Sequence, residues 1–232
     1  MTPRPALRAA LFDAGGTLVR LDYEWMAACV TRLGQAVSAG DVRVGEVEGR
    51  RRYDASDRRS VQPYFEGILR GVGVPEARWP AVLAAWEERQ RAGGLWVKPM
   101  EGAARALEGA RAAGLRVAVI SNSVGRAEQH LRECGLKDPV EFVVDSALEG
   151  VEKPNPRIFR VALERLGVVA GEAVYVGDLL SVDAAGAKAA GLHFILLDGP
   201  VSYAPSGMLH LDDLGRLPEL LAKWFELPGA KS

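Results

Sequence analysis

Two hydrophobic periodicities alternate along this chain. Residues 7–14 ("LRAALFDA"), 115–123 ("LRVAVISNS"), 141–147 ("EFVVDSA"), 173–178 ("AVYVGD") and 192–198 ("LHFILLD") are short runs rich in Val, Ile, Leu or Phe. Runs of that length and composition predict strands buried on both faces. Between them, residues 101–114, 124–135 and 155–167 repeat apolar positions every three or four residues, and each stretch closes on a glycine: Gly114, Gly135 and Gly167. Pro156 stands near the first turn of the third, where a missing N–H costs nothing. Strand, helix and strand in this order imply right-handed crossovers and an α/β fold, a doubly wound parallel sheet. Such a sheet gathers its ligands at the carboxyl ends of its strands.

One region breaks the alternation. From about Asp22 to Gln90 the pattern is helical, clearest at residues 22–37, 63–72 and 75–90, with no comparable strand candidate. This predicts an all-helical insertion after the first strand, residues 21–94, within a core of residues 1–20 and 95–232. "GGLWVKP" suits a hinge back to the sheet. Trp25, Trp79, Trp86 and Trp96 fall in or beside the insertion and are expected to form its own small core. At the end of the chain, Leu217, Leu220, Leu221, Trp224 and Phe225 share a helical stripe that predicts packing on the sheet.

Composition narrows the field. At 232 residues the chain is long enough for a core with a sizeable insertion, and 48% hydrophobic with 25% charged residues excludes a disordered or fibrous chain. A formal net charge of -1 gives no general pull toward nucleic acid or a lipid surface. Cys29 and Cys134 form no paired motif, so neither a disulfide framework nor a structural zinc is expected. No apolar run is long enough to span a membrane and the first residues do not form a signal peptide, which leads to a cytoplasmic reading. Neither the glycine signature of dinucleotide sites nor that of P-loops occurs, and His130, His193 and His210 lack ligand spacing.

The polar residues at the predicted strand ends carry the chemistry. Asp13 follows the first strand, Ser121 and Asn122 end the second, Lys153 precedes the Pro156 helix, and Asp178 and Asp183 follow the fourth. Each alone has an ordinary explanation as a helix start, a turn or a solvated side chain. A parallel sheet brings all of them to one crevice. Three carboxylates and one ammonium between apolar walls call for a cation, and Mg²⁺ suits carboxylate oxygens with phosphate as a further ligand. A carboxylate facing a phosphorus held there can form an aspartyl phosphate.

In order and spacing, "FDAGGTL", "ISNS", "EKPNPRIF" and "GDLLSVDAAGAKAAG" resemble the four motifs of the haloacid dehalogenase superfamily of hydrolases, and the helical insertion resembles that superfamily's first-type cap. The resemblance implies a Rossmann-like core and a Mg²⁺-dependent phosphatase acting on a small phosphorylated substrate. It casts Asp13 as nucleophile and metal ligand, with the carbonyl of Gly15 also on the metal. Gly15 and Gly16 lie in the phosphate-binding turn with Thr17, which braces it. Ser121 and Asn122 would hold the phosphoryl group, Lys153 would offset its charge, and Asp178 with Asp183 would complete the metal site.

The sequence departs from that pattern at one position. Phosphatases of the superfamily usually carry a second aspartate two residues after the nucleophile, where this chain has Gly15. Asp22, Tyr23 and Glu24 are candidates to replace the missing acid. A phosphonatase would need a lysine in the insertion, and residues 18–97 contain none; a dehalogenase needs no metal, and "GDLLSVD" is of the metal-binding type. A phosphate-binding or regulatory protein without turnover is the remaining alternative. The run "GRRRYDASDRRS" puts Arg50, Arg51, Arg52, Arg58 and Arg59 in the insertion, either as a solvated face or as the recognition element for a second anionic group.

Overall fold

The structure is a computed structural model that describes residues 4–57, 60–199 and 204–229. Eight strands are defined among these residues: β1 (Ala9–Phe12), β2 (Val19–Leu21), β3 (Trp96–Pro99), β4 (Arg116–Ser121), β5 (Val143–Asp145), β6 (Ala173–Gly177), β7 (His193–Leu197) and β8 (His210–Leu211). The α-helices are α1 (Tyr23–Arg32), α2 (Ala39–Asp54), α3 (Gln62–Val72), α4 (Trp79–Arg91), α5 (Ala103–Ala112), α6 (Ala127–Glu133), α7 (Ser146–Glu149), α8 (Pro156–Leu166), α9 (Ala185–Ala190) and α10 (Leu217–Trp224). None of the described helices is long and apolar enough to cross a membrane.

The chain divides into two compact units, one taking in the residues up to Arg20, Pro99–Asp198 and those from Ala204 on, the other built on Leu21–Lys98. The first unit holds a six-stranded sheet in the order β5-β4-β1-β6-β7-β8, and its paired strands are parallel. β1 and β6 are buried at every position, as a sheet covered on both faces requires. The chain steps from β1 outward through β4 and β5, then returns to β1's other side for β6, β7 and β8, so the strand order reverses at β1. All five sequence-predicted strands lie in this sheet. β8, only two residues long, is an addition too short to leave an apolar pattern.

α8 packs one face of the sheet through Ile158, Phe159, Ala162, Leu163 and Leu166 against Leu11, Ala118, Ile120 and Tyr175. Asn155 caps its start by accepting from Arg157 N–H, and Gly167 ends it at φ +61°. α10 buries Leu217 and Leu221 beside α5, and Phe225, just past its end, sets its ring 5.2 Å from that of His193 in β7; Trp224, expected in the same stripe, is instead 50% exposed with Lys223 over its ring.

The second unit has its own core. Trp86, Phe65, Met26, Ile68, Leu69 and Val82 are fully buried, and Trp25, Trp79 and Trp96 pack on them, so the four tryptophans serve the insert's interior. Its longest helix, α2, lies within the stretch read as helical but outside that stretch's clearest segments. α2 and α3 cross so closely that a Cβ on Gly67 would lie 2.6 Å from the Cα of Gly49, and one on Gly71 would lie 2.7 Å from the Cα of Gly45. Glycine is what lets the two backbones touch. The stretch read as a hinge contains β3, which pairs with β2, and the unit boundary falls at Lys98 and Pro99 where the sequence placed it at 94 and 95.

Candidate active site

Parallel register aligns the chemistry. Phe12 pairs with Val119 on one side and Val176 on the other, so the residues that follow, Asp13, Ser121 and Asp178, emerge at one edge of the sheet. That edge is the carboxyl end, and β1 is where the strand order reverses, the position at which open α/β sheets bind ligands.

The turn after β1 is tight. Leu18 and Val19 N–H both donate to the carbonyl of Ala14, Gly16 N–H donates to Val19, and Gly15 bridges to Val19. Gly16 sits at φ +87°, and a Cβ there would lie 2.3 Å from Asp178 Oδ2. Only glycine satisfies both the dihedral and the approach of that carboxylate. Thr17 is fully buried in the turn, and its hydroxyl has no hydrogen-bond partner.

Asp13, Asp178 and Asp183 are all buried and each offers an oxygen within 4.8 Å of the others. The Lys153 ammonium, also buried, donates to Asp13 Oδ1 at 2.5 Å and to Asp183 Oδ1 at 2.8 Å. Asp183 is aimed by a π-helical turn, Leu180–Ala184, which returns its Oδ2 to accept from the N–H groups of Asp178 at 3.1 Å and Leu179 at 3.0 Å. Gly177 makes room for this, since a Cβ there would lie 2.6 Å from the Asp183 side chain.

Electrostatics show what the cluster lacks. Burial pushes the Asp13 carboxyl up to about 6; Lys153 opposes the shift and Asp183 adds to it. For Lys153, burial disfavours the charge but the carboxylates of Asp13 and Asp183 outweigh it and hold the ammonium protonated. Three carboxylates against one ammonium leave two negative charges in a buried place, which one divalent cation balances. The donor set fits Mg²⁺, whose oxygen ligands at about 2.1 Å lie up to about 4.2 Å apart, close to the spacing found here.

Ser121 ends β4, buried at 5% exposure. Asn122, expected to hold the phosphoryl group, has its carboxamide on the main chain of Lys153 instead: Nδ2 donates to the carbonyl at 2.9 Å and Oδ1 accepts from the N–H at 2.8 Å. It positions the lysine. Asp22 and Tyr23, named as substitutes for the missing acid, are engaged inside the insert. Asp22 caps α1 and pairs with Arg89 at 2.9 Å, and the Tyr23 hydroxyl donates to Glu46 at 2.5 Å. Glu24 is exposed in the first turn of α1.

The arginine run does not behave as one surface. Arg50 is buried and pairs with Glu46 at 3.5 Å, Arg52 pairs with Glu66 at 3.4 Å and Arg51 is exposed, while Arg58 and Arg59 lie outside the described residues.

Two site residues were not singled out in the sequence. Asp145, at the end of β5, accepts from the N–H groups of Gly125, Ala127 and Ala147 and so shapes the turn that follows Ser121 and Asn122. Tyr175, inside β6, places its hydroxyl 2.9 Å from Lys153 Nζ. A buried tyrosine in an aliphatic strand is the one hint, because its hydroxyl must find a partner.

Comparison with known proteins gives the chain's family. A family model described as haloacid dehalogenase-like hydrolase matches residues 7–191. A mouse protein called haloacid dehalogenase-like hydrolase domain-containing protein 3 is 38% identical over 56% of this chain and 52% of its own length. The chain thus spans about half the length of that relative. A glyceraldehyde 3-phosphate phosphatase of Methanopyrus kandleri is 31% identical over 80% of this chain and 82% of its own. Among solved structures, a hydrolase of the same family from Deinococcus radiodurans, with bound phosphate and sodium, has a TM-score of 0.65 at 23% identity, covering 97% of this chain and 100% of that one.

Proposed function

The chain belongs to the haloacid dehalogenase-like hydrolase family, and from that premise we propose that it is a Mg²⁺-dependent phosphatase of a small phosphorylated metabolite, working through an aspartyl phosphate on Asp13. The observation that carries the reading is Asp13 itself, a buried carboxylate at the reversal of strand order, bonded to Lys153 and sharing a 4.8 Å cluster with Asp178 and Asp183. The Methanopyrus relative, a phosphatase of a three-carbon sugar phosphate, supports the substrate class.

A carboxylate oxygen of Asp13 attacks phosphorus; the bond from phosphorus to the leaving oxygen breaks, and its electron pair departs on that oxygen. Gly15 has no proton to give, so solvent protonates the leaving group. Water then attacks the phosphoryl group, its proton passes to solvent, and the bond to Asp13 breaks to restore the carboxylate and release inorganic phosphate. Lys153 and the hydroxyl of Ser121 face the charge that moves in these steps, and the glycine turn orients it. Asp13 and Asp178 would hold Mg²⁺, with the Gly15 carbonyl, and the ion supplies positive charge against phosphoryl oxygens. Asp183, whose oxygens already accept from Lys153 and two backbone N–H groups, braces the site.

The glycine at position 15 also favours a second reading, a phosphate-binding protein that does not turn over. Phosphate release from a panel of acyl, aryl, sugar and nucleotide phosphates, with Mg²⁺ and with chelator, decides between them. Mg²⁺-dependent release bears out the phosphatase; a base-labile phosphate trapped on Asp13 without release bears out the alternative.

A further inference from the structure

In the sequence, Tyr175 is one more bulky residue of an apolar strand. In the fold, its ring is held edge-on by Phe159 of α8 at 4.9 Å between centroids and stacked with Phe194 of β7 at 6.4 Å, so the hydroxyl has one place to be. That place completes Lys153. An ammonium has three N–H bonds, and here each has an acceptor: Asp13 Oδ1 at 2.5 Å, Asp183 Oδ1 at 2.8 Å and Tyr175 Oη at 2.9 Å. The tyrosine's own proton is left to donate: the carbonyl of Ile120 in β4 accepts at 3.1 Å, nearer than Asp183 Oδ1 at 3.3 Å.

The third acceptor is the neutral one. A phenylalanine at this position would strand a buried N–H, and a carboxylate would add a fourth negative charge to a cluster that already exceeds its ammonium by two. The phenol avoids both. Burial, then the carboxylates of Asp183 and Asp13, push its pKa well above the ordinary range, so it stays uncharged.

We propose that Tyr175 is a positioning residue for phosphoryl transfer, its hydroxyl fixing the Lys153 ammonium between Asp13 and Asp183 by a hydrogen-bonded chain anchored on the main chain of β4. The assignment rests on the phosphatase reading above. During the first step the negative charge of the Asp13 carboxylate passes to the phosphoryl oxygens, so the acceptor that attracts the ammonium changes. Tyr175 and Asp183 are the two acceptors that do not change, and they keep Lys153 beside the moving charge.

The test compares wild type, Tyr175→Phe, Lys153→Met and the double variant. Aryl phosphate hydrolysis by Tyr175→Phe is expected to lose about tenfold or more in kcat with KM within about twofold, the effect of a lost hydrogen bond to a charged group. The double variant is expected to match Lys153→Met, because the phenol acts through an ammonium no longer there. A further tenfold loss in the double variant, or unchanged kcat in Tyr175→Phe, overturns the proposal. The pair of lysine variants decides the matter even where Tyr175→Phe alone folds poorly.

A readout independent of turnover separates this proposal from the phosphatase reading. The chain has six lysines, so the ¹⁵Nζ signal of Lys153 is assignable by its loss in Lys153→Met. A slowly exchanging signal in the wild type that shifts or broadens in Tyr175→Phe is expected, and an unchanged one overturns the positioning role. Wild-type protein that shows the shift but releases no phosphate overturns the phosphatase reading while the positioning stands.

Discussion

The two units each bury a cluster of acid, base and phenol, and the clusters differ in what they leave unbalanced. In the helical insert, Glu46 accepts from Tyr23 and Tyr64 at 2.5 Å each and faces Arg50 at 3.5 Å, with Glu46 2% and Arg50 4% exposed. The carboxylate faces a guanidinium, both of its oxygens accept from phenols, and the four residues come from α1, α2 and α3. At the sheet edge, Lys153 and Tyr175 meet three carboxylates, and two negative charges remain. A buried carboxylate that faces a guanidinium braces a fold; in the function proposed above, the acid-rich cluster at the carboxyl ends of strands takes a cation and a substrate.

Asp13→Asn tests the unbalanced side with the largest expected effect. Phosphate release should fall about 10⁴-fold or more, to background. Stability should not fall with it. Because the folded protein holds the Asp13 carboxyl near 6, above its ordinary 3.8, the native state binds that proton more tightly than the unfolded chain does. Metal-free wild type therefore gains stability from this group as pH drops from above 6 toward 4, and Asp13→Asn removes that gain. Thermal melts of the two proteins across that window check the sign, and Mg²⁺ should flatten the wild-type curve.

Glu46→Gln is the matching change on the balanced side. It leaves Arg50 buried beside a neutral amide, and a loss of about 3 to 5 kcal/mol in unfolding free energy is expected from a broken buried pair. Urea titration measures it. Stability that rises on this substitution would place the insert's cluster in the same class as the sheet edge and dissolve the comparison.

The same contrast explains what the sequence reveals. Strands of a parallel sheet are nearly continuous apolar runs, so five of the six were visible, and the acids at their ends could be placed at one edge before any coordinate was known. α2 was the least distinct part of the helical stretch because its contact with α3 is made by Gly45 and Gly49, which carry no side chain to register as hydrophobic. β3 read as a hinge because its partner, β2, lies on the far side of the whole insert in the chain. Tyr175 and Asp145 were missed for a different reason. Each acts on a residue distant in sequence, and only folding shows that the tyrosine's hydroxyl meets Lys153 or that the aspartate gathers three N–H groups. Asn122 was found, but its contact with the main chain of Lys153 was not, since a carboxamide at a strand end looks the same whatever it meets across 31 residues of chain.

Gly67→Ala is expected to destabilise the insert by about 1 to 3 kcal/mol, because a Cβ 2.6 Å from Gly49 Cα must push α2 and α3 apart. Catalysis at the sheet edge should survive it below the melting temperature. Parallel loss of kcat and stability would show that the two units do not respond separately.

The smallest effect expected is also the most specific to this chain. A positioned general acid contributes about 10² to 10⁴-fold, but Gly15→Asp supplies a carboxyl that nothing in the turn was built to orient, beside a cluster already two charges negative. A gain of about tenfold is expected for an alkyl phosphate, whose leaving oxygen needs a proton, and less than about twofold for an aryl phosphate, whose leaving group departs without one. Steady-state kcat for one substrate of each kind, measured on wild type and variant at saturating Mg²⁺, gives the ratio. Equal gains would mean that proton transfer to the leaving group is not what Gly15 withholds, and would move the explanation to the shape of the turn itself.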